Sequence, residues 1–166
     1  MAEKKAGKVI SPSQMAAQWR PLPHQFDLNL FNFAATIGHD ATEIFKQSFD
    51  KRRLNTSGSV AWKKRRDKRP HPILNETLTL KNSIKYKSLK GSGKRLIRIY
   101  TDPTAFGTAA RHRGFCYAAV HNDPSGRHYY GKTGVKSIQR QFIGHSTALT
   151  KRFKKLAVSI FNGFPQ

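Results

Sequence analysis

Residues 28–53, LNLFNFAATIGHDATEIFKQSFDKRR, decide the fold of this chain. Apolar side chains recur there every three or four positions, which places them on one face of an α-helix. That face is formed by Leu30, Phe33, Ile37, Ala41, Ile44, Phe45 and Phe49. Asp27 is a suitable N-cap, and the cations of residues 51–53 complement the negative end of the helix dipole. The pattern predicts a long amphipathic helix whose aromatic stripe packs in a core or an interface.

A second amphipathic helix is predicted near the end of the sequence. Ser146 is its expected N-cap, and Gly163 and Pro165 are expected to end it. One face carries the apolar side chains Leu149, Phe153, Leu156, Ala157, Ile160 and Phe161. The other face carries the cations Lys151, Arg152, Lys154 and Lys155.

Shorter elements lie between the two long helices. Residues 77–84 fit a short helix, and residues 84–89 and 95–101 predict two strands joined into a hairpin by the turn at 90–93. Residues 138–143 predict a further strand, whereas 115–120 fit either a helical turn or a strand. We therefore expect an α+β fold, with a small mixed or antiparallel sheet packed against two long amphipathic helices.

The first 26 residues predict an extended or flexible basic arm in front of a single domain, residues 27–166. The segment contains several lysines and prolines and no sustained periodicity. Trp19 and Phe26 are its large aromatic residues. Two interpretations stay open: a disordered tail with a docked end, and an extended arm that uses Trp19 and Phe26 as anchors on a neighbouring subunit.

The charge of the chain implies an acidic partner. Lys and Arg number 31 against 9 Asp and Glu, which gives a net charge of +22. Nucleic acid, an acidic protein ring and an anionic membrane all qualify, but no apolar run approaches the roughly 20 residues that cross a bilayer. The densest basic run contains Lys63, Lys64, Arg65, Arg66, Lys68 and Arg69. It predicts either a solvated loop or a contact with a polyanion.

The sequence contains no recognisable catalytic, metal or cofactor motif. The seven histidines form no HExxH pattern, and Cys116 is the single cysteine, so a Cys-rich zinc site and an internal disulfide are excluded. Residues 90–94 lack the spacing of a phosphate-binding loop, and no Gly-x-Ser-x-Gly element occurs. For His121 and Asp123 a hydrogen-bonding role in a turn is favoured over a metal or catalytic pair. We expect no enzyme activity, no cofactor and no small-molecule substrate.

An ordered set of motifs resembles the phage virion morphogenesis family, the Mu-type tail-completion or head–tail joining proteins. A Trp in a basic loop comes first, then an Ile-Leu…Thr…Leu…Ser-Ile segment, a Tyr-Ala…His element, and an Arg-x-Phe-Ile-Gly sequence before the last helix. Leu78 and Gln141 depart from the family's usual Gly and Pro. The resemblance covers roughly residues 28–163. The residues that carry it are Trp62, Ile73, Leu74, Thr77, Leu80, Ser83, Tyr117, His121, Arg140 and Phe142.

This resemblance implies a structural virion protein of a tailed bacteriophage, a ring-forming neck or tail-completion subunit that helps join head and tail. It implies a ring, with six-fold symmetry expected, that contacts neighbouring neck, portal-side or tail-tube proteins and is assembled in the bacterial host cytoplasm. The clusters 63–69 and 151–155 are candidates for an interface or for a lumen that DNA passes through. A sequence-independent nucleic-acid-binding protein stays open as the alternative, because the charge is interleaved with aromatic residues.

Overall fold

The structure is a computed structural model, and it describes residues 11–64, 73–74, 77–91, 94–106, 117–122, 129–130, 135–136, 138 and 140–162. It contains both helices and antiparallel strands, so the predicted α+β class is confirmed. The elements in chain order are α1 (Pro12–Trp19), α2 (Leu22–Lys51), α3 (Thr79–Asn82), β1 (Ile84–Gly91), β2 (Lys94–Thr101), a 3-10 helix (Pro103–Phe106), α4 (Ala118–Asn122), β3 (Tyr129–Tyr130), β4 (Val135–Lys136) and α5 (Thr147–Phe161).

The longest element is α2, whose 30 residues span about 45 Å. It begins earlier than predicted, so Asp27 lies inside the helix and its assignment as the N-cap is wrong. Pro23 explains the early start, because a proline in the first turn removes an N–H that has no helical partner there. At the other end Arg52 is left-handed, with φ 52°, and its N–H donates to the carbonyl oxygen of Ser48.

Most of residues 11–26 are helical, so the extended conformation predicted for this part of the arm is wrong. Ser11 and Gln14 form a capping box: each side chain accepts a hydrogen bond from the other residue's backbone N–H. Pro12 occupies the first helical position, which favours helix formation. α2 crosses the predicted boundary at residues 26 and 27 without a break. Residues 1–10 lie outside the described part of the chain.

The predicted hairpin is confirmed: β1 and β2 pair antiparallel, with Ile84 opposite Thr101. Residues 92 and 93 of the predicted turn lie outside the described residues. One face of the hairpin packs against α2, where Ile84 is buried in the core and the ring of Tyr86 lies over Gly38. α2 also packs against α5. This helix therefore supports both the hairpin and the second long helix.

The strand predicted for residues 138–143 is wrong over residues 140–143, which adopt no regular structure. No described strand lies beside them: the Arg140 N–H donates to the His121 carbonyl oxygen, and side chains bind the backbone of residues 141–143. Asn122 Oδ1 accepts from the N–H groups of Phe142 and Ile143, at 3.0 and 2.8 Å. Trp62 Nε1 donates to the Gln141 carbonyl oxygen at 2.9 Å. The segment resembles a strand in its apolar pattern only.

The predictions for the shorter helices and the final helix cap hold in the described residues. α3 lies within residues 77–84, and Ser146 caps α5 by accepting a hydrogen bond from the Leu149 N–H. The ambiguous stretch 115–120 is helical where it is described, because α4 begins at Ala118. The expected stop signals Gly163 and Pro165 lie outside the described residues.

The core forms where the C-terminal half of α2 meets the loop after it and residues 140–143. Phe49 is its centre, with a ring contact to Trp62 at 5.6 Å and another to Phe142 at 5.2 Å between centroids. The same cluster contains Ala41, Phe45, Ile73, Leu80, Ile84, Phe106 and Ala118.

A separate aromatic contact joins α2 to α5. Phe33 meets Phe153 edge to face with centroids 4.9 Å apart, and Phe26 meets Phe161 at 5.4 Å. Such pairs contribute roughly 0.5–1.5 kcal/mol beyond their area burial. Arg152 on α5 adds an ion pair with Asp40 on α2, with Nε and Oδ2 2.5 Å apart. The apolar stripes read from the sequence thus pack mainly against each other here.

Gly38 gives a test of the contact between α2 and the hairpin. A Cβ at this position would lie far inside van der Waals contact with the Tyr86 ring. We expect Gly38→Ala to lower the free energy of unfolding by about 1–2 kcal/mol, as overpacking does. In a Tyr86→Ala background the same change should raise it by about 0.5–1 kcal/mol, because alanine is the better helix former. Urea titrations of the parent, Gly38→Ala, Tyr86→Ala and the double variant measure both changes in the free energy of unfolding. If Gly38→Ala changes this free energy in the same direction in both backgrounds, the contact is contradicted.

Candidate functional site

The residues that carry the family resemblance lie mostly in the interior. Trp62, Ile73, Leu80 and Phe142 are buried in the core cluster, and the polar side chains of Ser83, His121 and Arg140 are buried as well. Leu74 and Tyr117 are partly buried against the same cluster, whereas Thr77 is exposed and hydrogen-bonds Thr79. Most of these residues therefore build the fold.

Residues 140–147 and the side chains that bind them form a unit that we call the clasp. At one end Ser48 Oγ donates to the carbonyl oxygen of Phe142 at 3.3 Å, beside the Trp62 bond to Gln141. Both acceptors belong to backbone that is enclosed by the core. The clasp ties the chain before α5 to the C-terminal end of α2.

The other end of the clasp places the first turn of α5. Ser146 Oγ donates to the carbonyl oxygen of Asn55 at 2.6 Å, and the Thr147 N–H donates to Thr56 Oγ1 at 3.1 Å. Ser57 donates its N–H to Thr147 Oγ1 at 2.9 Å. The turn-forming stretch after α2 therefore determines where α5 starts and which of its faces points outward.

Among the described histidines, His121 is buried and its pKa lies well below the ordinary value. It is 4% exposed, its Nδ1 lies 3.4 Å from the Ile138 carbonyl oxygen, and its ring meets the ring of Tyr117 edge to face. Burial lowers its pKa to about 4, with a smaller contribution from the positive charge of Arg140 and an opposing one from the Ile138 carbonyl oxygen. Asp123, considered as its partner from the sequence, lies outside the described residues. His121 is thus a neutral core side chain at pH 7.

An open cavity of about 420 Å³ lies beside Trp62, lined by residues 54 and 56–63 and by Gln141. Lys63 is the titratable side chain of this lining. General acid–base or nucleophilic catalysis needs at least two convergent polar groups with suitable pKa values. The lining carries the hydroxyl groups of Thr56, Ser57 and Ser59 beside Lys63, and we assign the cavity no chemistry.

The described residues bring together no group of three or more His, Cys, Asp or Glu side chains that could hold a metal ion. Among the same residues, no helix combines the length and apolar character required to cross a membrane. Neither finding identifies a function.

The predicted basic candidates separate into three groups. Lys151, Lys154 and Lys155 are exposed on the face of α5 that points away from α2, whereas Arg152 pairs with Asp40 and belongs to the contact between the helices. Lys63 and Lys64 are exposed as well. The other four candidates lie outside the described residues: Arg65, Arg66, Lys68 and Arg69.

The two predicted arm anchors differ from each other. Trp19 is 58% exposed at the end of α1, and α1 has no buried residue. Phe26 packs against Phe161 of its own chain, so part of its ring is used within the protomer. Only the surroundings of Trp19 match what an intermolecular anchor requires.

The sequence analysis missed one basic surface, the outer face of the hairpin. Lys85, Lys87 and Arg98 alternate with side chains that face α2, and all three are exposed. The alternation of Ile84 and Tyr86 with the two lysines was the available signal. Placing Arg98 beside Lys87 required the register of the strands, which the sequence does not define.

Comparison of the chain with protein-family models, curated proteins and solved structures gives no match. The resemblance to the phage virion morphogenesis family therefore stays a prediction. Any argument about function depends on the chain's own residues: a core without a catalytic arrangement, an exposed N-terminal helix, and several cationic surfaces.

The burial of His121 predicts a pH dependence of stability. The folded protein binds this proton near pH 4 and the unfolded chain near pH 6.5, so the unfolded state binds more protons between these values. The free energy of unfolding should therefore rise by up to about 3 kcal/mol as pH increases from 4 to 6.5. As pH falls back to 4, the protein should lose this stabilisation.

Urea titrations monitored by tryptophan fluorescence from pH 3.5 to 7.5 measure this slope. His121→Gln should remove most of the slope between pH 4 and 6.5. Asp102 acts in a lower pH range, because the hydrogen bonds that it accepts from Lys85 and Thr104 lower its pKa to about 2. Its stabilising effect is lost as pH falls from the ordinary value near 3.8 to about 2. An unchanged slope in His121→Gln would show that this histidine is accessible to protons in the folded state.

Proposed function

We propose that this chain is a structural virion protein of a tailed bacteriophage, a ring-forming neck or tail-completion subunit that helps join head and tail. It assembles in the bacterial host cytoplasm, and its partners are copies of itself and the neighbouring neck, portal-side or tail-tube proteins. It has no catalytic role. Three observations support this proposal, and it rests mainly on the third.

The order of the family-like motifs is the first support. Trp62, Leu80 and Phe142 are far apart in the sequence, yet they meet in one cluster around Phe49. The residues of a motif set that encodes a fold should meet in the structure, whereas chance matches to common residues need not. Of the two residues that depart from the family's pattern, Leu78 is exposed and has φ 56°, a left-handed conformation that favours the family's Gly, and Gln141 contributes its backbone to the clasp.

The arrangement of the elements is the second support. The proposed domain is tail-completion-like, with a small sheet and two long amphipathic helices. In this chain α2 contacts both the β1–β2 hairpin and α5. The hairpin leaves its outer face uncovered by the described residues, and so does the lysine face of α5. A subunit that is enclosed by neighbours in a particle presents such uncovered faces.

The exposed N-terminal helix carries the proposal. From residue 11 to residue 28 every side chain is exposed except that of Leu22, which is partly exposed. An isolated helix as short as α1 is marginal in water, so tertiary packing must supply most of its stability. Met15 and Trp19 stand one helical turn apart and are both exposed. We infer that a neighbouring copy covers this apolar pair.

A contact of this kind is heterologous, because α1 of one copy meets a different surface on the next. Heterologous contacts produce a ring when the rotation between copies closes. The exposed cations of α5 and of residues 63 and 64 then face the lumen or the acidic neighbours. A net charge of +22 per chain makes such a ring strongly attractive to DNA in the channel.

Trp19→Ala tests the role of the N-terminal helix. Size-exclusion chromatography with light scattering should show the unaltered chain as a closed oligomer, six times the 18.8 kDa protomer mass for the expected hexamer. Trp19→Ala should move the population to the protomer mass, because tryptophan anchors contribute at least about 2 kcal/mol to interfaces. Its melting temperature as a protomer should match that of the parent protomer, since the side chain is exposed.

The matched control is Val158→Ala, which truncates another exposed apolar side chain, on α5. This variant should keep the oligomer mass, and negative-stain electron microscopy of it should show the same rings. A monomeric parent at all concentrations tested would overturn the proposal. So would an oligomer that persists unchanged in Trp19→Ala.

A further inference from the structure

The outer face of the β1–β2 hairpin presents a compact group of cations. Side chains alternate between the two faces of a strand, and Ile84 and Tyr86 are directed to α2. The opposite face carries Lys85, Lys87, Leu89, Leu96, Arg98 and Tyr100, and we call it the ribbon face. In the described residues nothing packs over Lys87, Leu96 or Arg98, which are exposed.

Two cations of the ribbon face stand directly opposite each other. Lys87 pairs with Arg98 in the register of the hairpin, so their Cβ atoms are about 4.5–5.5 Å apart. Like charges in this position destabilise a hairpin. Neither side chain has an ion pair with a described residue, whereas the neighbouring Lys85 pairs with Asp102 at 2.6 Å. Within the described part of the chain this repulsion is therefore uncompensated.

An apolar pair lies next to the opposed cations. Leu89 stands opposite Leu96, and Leu96 is 62% exposed. The ribbon face carries no Asn, Gln, Asp or Glu side chain that would read the edge of a base. It therefore offers cations for an anionic polymer and apolar surface beside them, and it lacks the amide and carboxylate side chains that read adenine and cytosine edges.

We propose that the ribbon face binds the phosphate backbone of duplex nucleic acid without sequence preference. Lys and Arg side chains are the usual contacts to phosphate oxygens. Lys87 and Arg98 meet the evenly spaced phosphates across the ribbon, and the phosphates compensate the repulsion between them. This site goes beyond the assembly function, because it lies within one protomer and does not depend on ring formation.

A duplex fits this surface better than an acidic protein does. Lys85 and Lys87 stand two residues apart on one strand, with Arg98 opposite Lys87, and the phosphates of a duplex repeat regularly as well, with one charge per about 1.7 Å of helix axis. Acidic side chains on a folded protein have no such regular order.

Fluorescence anisotropy of a labelled duplex of about 25 base pairs, titrated with the full chain at several salt concentrations, tests the proposal. The informative variant is the double substitution Lys87→Gln with Arg98→Gln. Each lost phosphate contact lowers the slope of log affinity against log salt by about 0.9, so the slope should fall by about 1.8. Affinity at 0.1 M salt should fall at least roughly tenfold. A second duplex of unrelated sequence should bind within about threefold of the first.

The matched control removes two cations that already have a carboxylate partner. Lys46 pairs with Glu43 at 2.9 Å and Lys81 pairs with Asp50 at 2.8 Å. Lys46→Gln with Lys81→Gln changes the net charge by the same amount as the ribbon variant. It should leave the slope nearly unchanged and reduce affinity less than about threefold. Equal losses in the two double variants would overturn the proposal, because net charge alone would then explain the binding.

A charge reversal separates loss of binding from loss of folding. Lys87→Glu places a carboxylate opposite Arg98, which should raise the melting temperature by about 1–3 °C while weakening duplex binding more than Lys87→Gln does. Unaltered binding by a folded Lys87→Glu variant would overturn the proposal. Poly-glutamate at matched charge concentration should displace the duplex poorly. Displacement with equal potency would overturn it in favour of an acidic polypeptide.

Discussion

The structure depends on the hydrogen bonds that side chains make to the backbone of residues 140–143. No described strand lies beside this segment, so Trp62, Ser48 and Asn122 supply the partners that a sheet would otherwise provide. A buried backbone group without a partner costs roughly 1–3 kcal/mol. Each of these contacts therefore constrains the chain strongly. The packing of Phe142 against Phe49 at the centre of the core requires them.

The second long helix depends on the same constraint. Ser146 follows the clasp directly and uses its side chain twice, accepting from the Leu149 N–H and donating to the Asn55 carbonyl oxygen. The cap therefore both starts α5 and attaches it to the end of α2. The aromatic contacts between the two helices follow from this placement, and so does the outward direction of Lys151, Lys154 and Lys155. A surface relevant to assembly is thus determined by contacts in the core.

The sequence predicted what depends on local order and missed what depends on distant partners. The stripes of α2 and α5, the Ser146 cap and the hairpin are periodic or capping signals within one segment. Residues 140–143 resembled a strand because Trp62 and Ser48, which bind them, are 79 and 94 positions away from the groups they contact. The arm was misread because Pro12 and Pro23 stand in the first turns of helices, where proline is tolerated. Among the site residues, exposure of the α5 lysines followed from periodicity, but the pairing of Lys87 with Arg98 required the strand register.

We propose that the core folds within one protomer and that a neighbouring copy orders the N-terminal helix. Hydrogen exchange of the dissociated protomer and of the assembled protein tests this most directly. The account predicts that the amides of residues 12–28 exchange quickly in the protomer and become protected on assembly. The amides of Phe142 and Ile143 should be protected in both states. Equal, slow exchange of residues 12–28 in the two states would contradict the account, since the helix would then need no neighbour.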